Sequence, residues 1–247
     1  MINKYKFLWR SFKARYRDHK MEIKAMLEAI EPGDIAIDVG ANKGSFSYSL
    51  ALAVGEKGRL LAFEPQVSLA QYLRQMFNEL SLPQCEVYEI GISDENGNSK
   101  FYIPTEGHNP SASIVGGSHI PNNWTSQEIQ TASLDSFLYD ETKKVACIKV
   151  DVEGNELNVI KGALKIIQKF RPLLVIECEQ RHLENSTVED TIRYITDLGY
   201  DGFFILNNEL ISVVNFLVRE HQPTNVGDYW NSKYYCNNFI FRPKSKE

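Results

Sequence analysis

Apolar positions along this chain change their period several times, and each change marks an element. Tyr5, Trp9, Phe12 and Tyr16 recur at three- and four-residue steps, which places them on one face of a helix. Residues 21–30 continue helically until Glu31-Pro32-Gly33, a turn signal. Ile35-Ala36-Ile37-Asp38-Val39 is then a short, mostly apolar run between Gly33 and Gly40, as a buried parallel strand requires. Helix and strand alternate from there. Ser45 to Val54 reads as helix and Arg59 to Phe63 as strand. Val67 to Leu80 is helical again, with Leu69, Leu73, Met76, Phe77 and Leu80 on its apolar side, and Cys85 to Ile90 is a third strand.

Regularity breaks after Ile90. Asp94-Glu95-Asn96-Gly97-Asn98 is a turn cluster, and Lys100 to Ile103 suggests a hairpin strand. Residues 104–127 hold Pro104, Gly107, Pro110, Gly116, Gly117 and Pro121 with little periodicity, so they read as a long lid or insert loop. Alternation resumes with strands at Val145 to Val150 and Leu173 to Cys178, and helices at Asn155 to Phe170 and Val188 to Leu198. Gly202 to Leu206 and Asn238 to Phe241 supply two final strands, expected antiparallel at one edge. The pattern predicts a helical arm over 1–30 and one α/β domain over 31–247, a doubly wound, mostly parallel sheet covered on both faces.

Charge adds a division that periodicity does not show. The 247 residues carry a net charge of -5. Residues 1–24 alone hold eight basic and two acidic side chains, so the arm is +6 and the body -11. An acidic body argues against nucleic acid as a partner. The arm has two readings. Trp9 and Phe12 dock on the body or on a second subunit of a homo-oligomer, or the arm lies peripherally on an anionic membrane. Lys6 and Arg10 interrupt the early apolar cluster Phe7-Leu8-Trp9, which argues against a secretory signal, and no run of about 18 apolar residues exists. Cys85, Cys147, Cys178 and Cys236 form no C-x-x-C pair, which fits a reducing cytoplasm.

Ligands of such sheets bind at the carboxyl ends of the strands. The first strand runs into Asp38-Val39-Gly40-Ala41-Asn42-Lys43-Gly44-Ser45, where glycines allow close backbone approach before a helix start. The second ends at Glu64-Pro65, a carboxylate placed to accept from a ribose diol. The third leads to Ile92-Ser93-Asp94, suited to an adenine edge. No G-x-x-x-x-G-K-[ST] string occurs, and the middle glycine of a dinucleotide fingerprint is missing. A carboxylate at the loop entrance suits a sulfonium or α-ammonium better than a pyrophosphate. That favours S-adenosylmethionine over NAD, leaving an NAD-dependent oxidoreductase and a non-catalytic binding module as alternatives. The fourth strand ends in Asp151-Val152-Glu153-Gly154-Asn155-Glu156, which aims Asp151 and Glu153 at the same cleft and puts Glu156 where it would cap a helix.

These strings, with Ser133-Leu134-Asp135, Lys161-Gly162-Ala163 and Arg171-Pro172 before Ile176-Glu177, resemble the FkbM-type methyltransferases across residues 34–180. The resemblance implies a class I, Rossmann-like seven-stranded sheet. It also implies S-adenosylmethionine as cofactor and O-methylation of a sugar, glycolipid, polysaccharide or natural-product hydroxyl. The resulting cofactor set is Asp38, Gly40, Ala41, Asn42, Gly44, Ser45, Glu64, Pro65, Ile92, Ser93, Asp94 and Asp151. Methyl transfer to a hydroxyl gains from a base, for which Asp151, Glu153 and His182 are candidates. A divalent cation on Asp151 with Glu177 or Glu179 is not favoured, since those acids can pair with Arg181. His108, Asn109, His119, Asn122, Asn123 and Trp124 would tip the lid toward a sugar, while Tyr229-Trp230 and Tyr234-Tyr235 would pack the last strands.

Overall fold

The computed structural model describes residues 4–104, 124–183, 186–223 and 232–245. Strands β1 (Ile35–Val39), β2 (Arg59–Phe63) and β3 (Cys85–Tyr88) are followed by β4 (Gly91–Ile92), β5 (Gly97–Pro104) and β6 (Trp124–Ala132). The rest are β7 (Val145–Val150), β8 (Leu173–Glu177), β9 (Tyr200–Leu206), β10 (Glu209–Ser212) and β11 (Asn238–Pro243). The helices are α1 (Lys4–Lys13), α2 (Lys20–Ala29), α3 (Ser47–Val54), α4 (Val67–Glu79) and α5 (Leu134–Phe137). Then come α6 (Glu156–Lys161), α7 (Leu164–Phe170), α8 (Val188–Asp197) and α9 (Val218–His221).

The main sheet has the order β10-β9-β11-β8-β7-β1-β2-β3. β3, β2, β1, β7 and β8 run parallel, and β11 is antiparallel to both its neighbours. Every residue of β1 and β7 is buried, which explains their near-continuous apolar runs. Ile35, Ile37 and Val39 join the core on the α6–α8 side. Ala36 joins the opposite layer, with Phe7 of α1, Met26 of α2, Leu50 of α3 and Leu73 of α4. Period-2 alternation thus sends alternate side chains to two cores.

The sheet has eight strands rather than seven. The extra strand, β10, is reversed from β9 through Asn207 and Asn208, both at positive φ (52° and 61°), a two-residue hairpin turn that asparagine tolerates. Residues 124–127, expected in the lid, belong to β6, which pairs antiparallel with β5 along its length. The remainder of that lid, with His108, Asn109, His119, Asn122 and Asn123, lies outside the described residues, as does Tyr229-Trp230. Asn155 to Phe170 is two helices instead of one. A Cβ on Gly162 would come 2.0 Å from Ser93 O, and Asp135 caps the new helix start by accepting from Lys165 N and Ile166 N.

The arm also departs from one continuous helix. A π-helical segment, Ala14–Asp18, separates α1 from α2. Its docking residue is Phe7, fully buried among Tyr48, Tyr72 and Phe77. Trp9 and Phe12 do not dock on the body. The helix presents its opposite face, and Tyr5, Trp9, Phe12 and Tyr16 are 53–72% exposed.

Candidate functional site

The loops at the carboxyl ends of β1, β2, β7 and β8 enclose a cavity of about 250 Å³. Gly40, Asn42, Glu64, Pro65, Ile92, Asp151 and Glu153 line it, so the structure brings half of the expected cofactor and catalytic residues together. Gly40 has to be glycine. Its φ is +75°, and a Cβ there would sit 1.8 Å from Asp151 O, because the loops after β1 and β7 touch. Asn42 is left-handed (φ 48°), and its N–H donates to Glu64 Oε2 at 2.8 Å. Gln66 N–H donates to the other oxygen at 2.9 Å. Burial pushes the Glu64 carboxyl up to about 7 against these two hydrogen bonds. Each oxygen keeps a lone pair for a hydroxyl donor, as a ribose diol would supply.

Six expected cofactor residues sit elsewhere than the wall of this cavity. Asp38 is fully buried beneath the floor, where Ser47 Oγ donates to it at 2.6 Å and Lys149 Nζ lies 3.3 Å away. Gly44 faces the arm, since a Cβ would meet Leu73 and Phe7 at 2.8 Å. Ser93 and Asp94 hydrogen-bond to each other beside the Gly162 bend. Ala41 and Ser45 border an adjoining side cavity.

Lys149 is the residue that the sequence reading overlooked. Its ammonium lies 3.3 Å from both Asp38 and Asp151 and donates to Gly40 O at 2.9 Å. Burial opposes its charge, but the two carboxylates prevail and raise its pKa. Its signal was available: a lysine inside the strand Val145-Ala146-Cys147-Ile148-Lys149-Val150 needs buried acids. His19 and Arg10 carried no such signal, and the folded arm brings His19 to the main cavity and both to the side cavity.

Glu153 lines the cavity and meets His182, which does not line it. Glu153 is left-handed at φ 54°, an unusual conformation for a glutamate, and its Oε2 lies 2.6 Å from His182 Nε2. Gly154 allows this approach, because a Cβ there would be 2.5 Å from His182 O. Burial disfavours the protonated imidazole, yet the Glu153 carboxylate outweighs it and holds His182 above its ordinary pKa. Glu156 folds back to accept from Gly154 N at 2.9 Å, a structural role at the helix start. Glu177 accepts from Asn237 at 2.7 Å, and burial together with Asp151 keeps its carboxyl well above the usual range.

Ligand atoms of Glu153, Glu179 and His182 lie within 4.8 Å of one another. Glu179 already takes Arg181 Nε at 2.8 Å and the Tyr235 hydroxyl, and Glu153 takes His182. The trio therefore reads as a hydrogen-bond network more than as a cation site.

Strand order, a glycine loop, a ribose-type acid and strand-end carboxylates together define the fold of S-adenosylmethionine-dependent methyltransferases. The model of the methyltransferase FkbM domain matches residues 38–201. The chain belongs to the FkbM methyltransferase family. A curated relative, the hexuronic acid methyltransferase AglP of Haloferax volcanii, is 31% identical over 166 residues. That match covers 65% of this chain and 64% of the relative, so just under two thirds of the relative's length is spanned. A crystal structure of methyltransferase FkbM from Methylobacillus flagellatus superposes with a TM-score of 0.51 at 16% identity, covering 96% of this chain and 54% of that one. A Streptococcus mutans protein described as a methyltransferase, in complex with SAH, gives 0.51 at 11% identity, covering 92% and 97%. At these identities the structural likenesses speak for the fold alone.

Proposed function

We propose that the protein transfers a methyl group from S-adenosylmethionine to a hydroxyl of a sugar acceptor, with a sugar acid as the first acceptor to test. The observation that carries this reading is one cavity lined by Gly40, Glu64, Asp151 and Glu153, with His182 Nε2 held 2.6 Å from Glu153 behind its wall. The match to a hexuronic acid methyltransferase supports the acceptor class. When bound, S-adenosylmethionine supplies an electrophilic methyl on a sulfonium centre. Glu64 binds the ribose hydroxyls, and Gly40 lets the backbone approach. Lys149 holds Asp151 in place at the cavity wall. Glu153 orients His182, whose other ring nitrogen accepts the acceptor hydroxyl proton as the oxygen attacks. An alkali-stable methyl on a uronic acid glycoside, made by wild type and not by His182→Gln, tests the assignment. Equal product from the variant would contradict the base.

No helix among the described residues is long and apolar enough to cross a membrane. The exposed ladder Tyr5-Trp9-Phe12-Tyr16, with Trp9 stacked on Phe12 and Phe12 packed on Tyr16, fits a peripheral role on anionic lipid. Its basic flanks complement an anionic headgroup layer, whereas a symmetric pair of +6 arms would repel. Wild type should co-sediment with phosphatidylglycerol vesicles and Trp9→Ser/Phe12→Ser should not. Equal pelleting of both, or dimerisation through the arm on a sizing column, would contradict the lipid reading.

A further inference from the structure

The side cavity, of about 270 Å³, opens off the main one and shares His19, Gly40, Asn42, Asp151 and Glu177 with it. Its lining carries both signs of charge. Asp151 and Glu177 come from the ends of β7 and β8. Lys149 lines it beside Asp151, and so do Arg10 from α1 and Lys43 from the loop after β1. The acids have partners in Lys149 and Asn237. Arg10 donates only to neutral oxygens, Lys43 O at 3.4 Å and Tyr72 OH at 3.3 Å. No carboxylate pairs with Arg10 or Lys43 among the described residues, so two cations border this cavity without an anion.

We infer that Arg10 and Lys43 form a carboxylate-binding site on the cofactor cavity, completed by the arm. A pocket lined by acids and by two cations that lack an acid partner suits an α-amino acid zwitterion. Its ammonium would turn to Asp151 and Glu177, and its carboxylate to Arg10 and Lys43. The methionyl end of S-adenosylmethionine has that form, so the inference rests on the proposed function and deepens it. A uronic acid acceptor carries the same anionic group, and the two sources separate experimentally. The docking of Phe7 against Gly44 then acquires a functional sense, because it sets the distance between Arg10 and the loop after β1.

Calorimetry on the full chain would compare S-adenosylhomocysteine with its decarboxylated analogue, for wild type, Arg10→Gln, Lys43→Gln and the control Arg17→Gln. Arg17 pairs with Asp18 on the exposed surface and carries the same charge change. Arg10→Gln and Lys43→Gln should each weaken S-adenosylhomocysteine binding about tenfold, leaving the analogue and the control unchanged. If S-adenosylhomocysteine binding is unaffected but KM rises for a uronic acid acceptor and not for a neutral sugar, the carboxylate belongs to the acceptor and the site stands. Unchanged affinity and unchanged KM in both variants would overturn it. A wild-type chain that binds neither compound would overturn the proposed function itself, and this site with it.

Discussion

Replacing Glu64 by Gln should change how the stability of the unliganded protein depends on pH. Glu64 is 3% exposed, and burial pushes its carboxyl from 4.5 to about 7. A carboxyl whose folded pKa lies above its unfolded one favours folding below the unfolded value, and that advantage is lost as pH rises through about 7. Because the unfolded chain ionises more readily, the native state loses about 1 kcal/mol at pH 5 and about 3 kcal/mol at pH 8, from 1.36 kcal/mol per pKa unit. Gln cannot ionise, so the stability difference between variant and wild type should move by about 2 to 3 kcal/mol in the variant's favour from pH 5 to pH 8. The offset between the curves is set separately. A Gln amide can accept only one of the two N–H groups of Asn42 and Gln66, which costs about 1–3 kcal/mol. Urea unfolding followed by circular dichroism at pH 5, 6, 7 and 8 measures the change. Glu156 and Glu177 also have raised values but are common to both proteins, so the comparison isolates Glu64. Parallel pH curves would refute the reasoning. In the same range, wild-type affinity for S-adenosylhomocysteine should rise with pH while that of Glu64→Gln stays flat and weaker.

Other outcomes follow from the same geometry. Because Glu153 raises the His182 pKa, kcat/KM should climb with pH through a value above 6.5, and Glu153→Gln should move that climb to lower pH; an unmoved profile would detach the pair from catalysis. His182→Gln should lower kcat by roughly a hundredfold or more with little change in cofactor affinity, read by single-turnover assay and calorimetry. Phe7→Ala removes a fully buried ring from between Tyr48, Tyr72 and Phe77 and should cost about 3–5 kcal/mol in urea unfolding, whereas a loss below about 1 kcal/mol would mean that the arm is not packed there. Gly40→Ala drives a methyl into Asp151 O, so it should abolish either folding or S-adenosylhomocysteine binding, and a wild-type melt with wild-type affinity would contradict the close approach.

The parallel core was legible because its strands are buried on both faces and its helices are punctuated by turn residues. Arg59–Phe63 and Val145–Val150 carry the boundaries their apolar runs announce. The sheet end was less legible. Glu209–Ser212 is a short edge strand without an apolar run, and it depends on a hairpin turn that only the pairing reveals. Within the site, the strand-end acids could be found because position along a strand is local information. Whether such an acid faces a ligand or a buried neighbour is not local. Asp38 lies near the end of β1 and Glu64 just after the adjacent β2, yet one lies beneath the floor against Lys149 and Ser47 while the other borders the cavity. The arm's sequence pointed to docking of Trp9 and Phe12 on the body or a second subunit, or to lipid. Its inner face carries Arg10 and His19 to the cleft, a consequence of how α1, the π segment and α2 fold over the loop after β1.

The central claim is that the cleft moves a methyl group onto a sugar oxygen with Glu153 and His182 managing the proton. Incubation with S-adenosylmethionine labelled at the methyl carbon, with uronic acid and neutral glycosides as acceptors, tests it most directly, followed by alkaline treatment and mass spectrometry of the product. The account predicts label in an alkali-stable methyl ether on the sugar, lost in His182→Gln. No label on any glycoside from a chain that binds S-adenosylhomocysteine, or label released by alkali as from an ester, would contradict it.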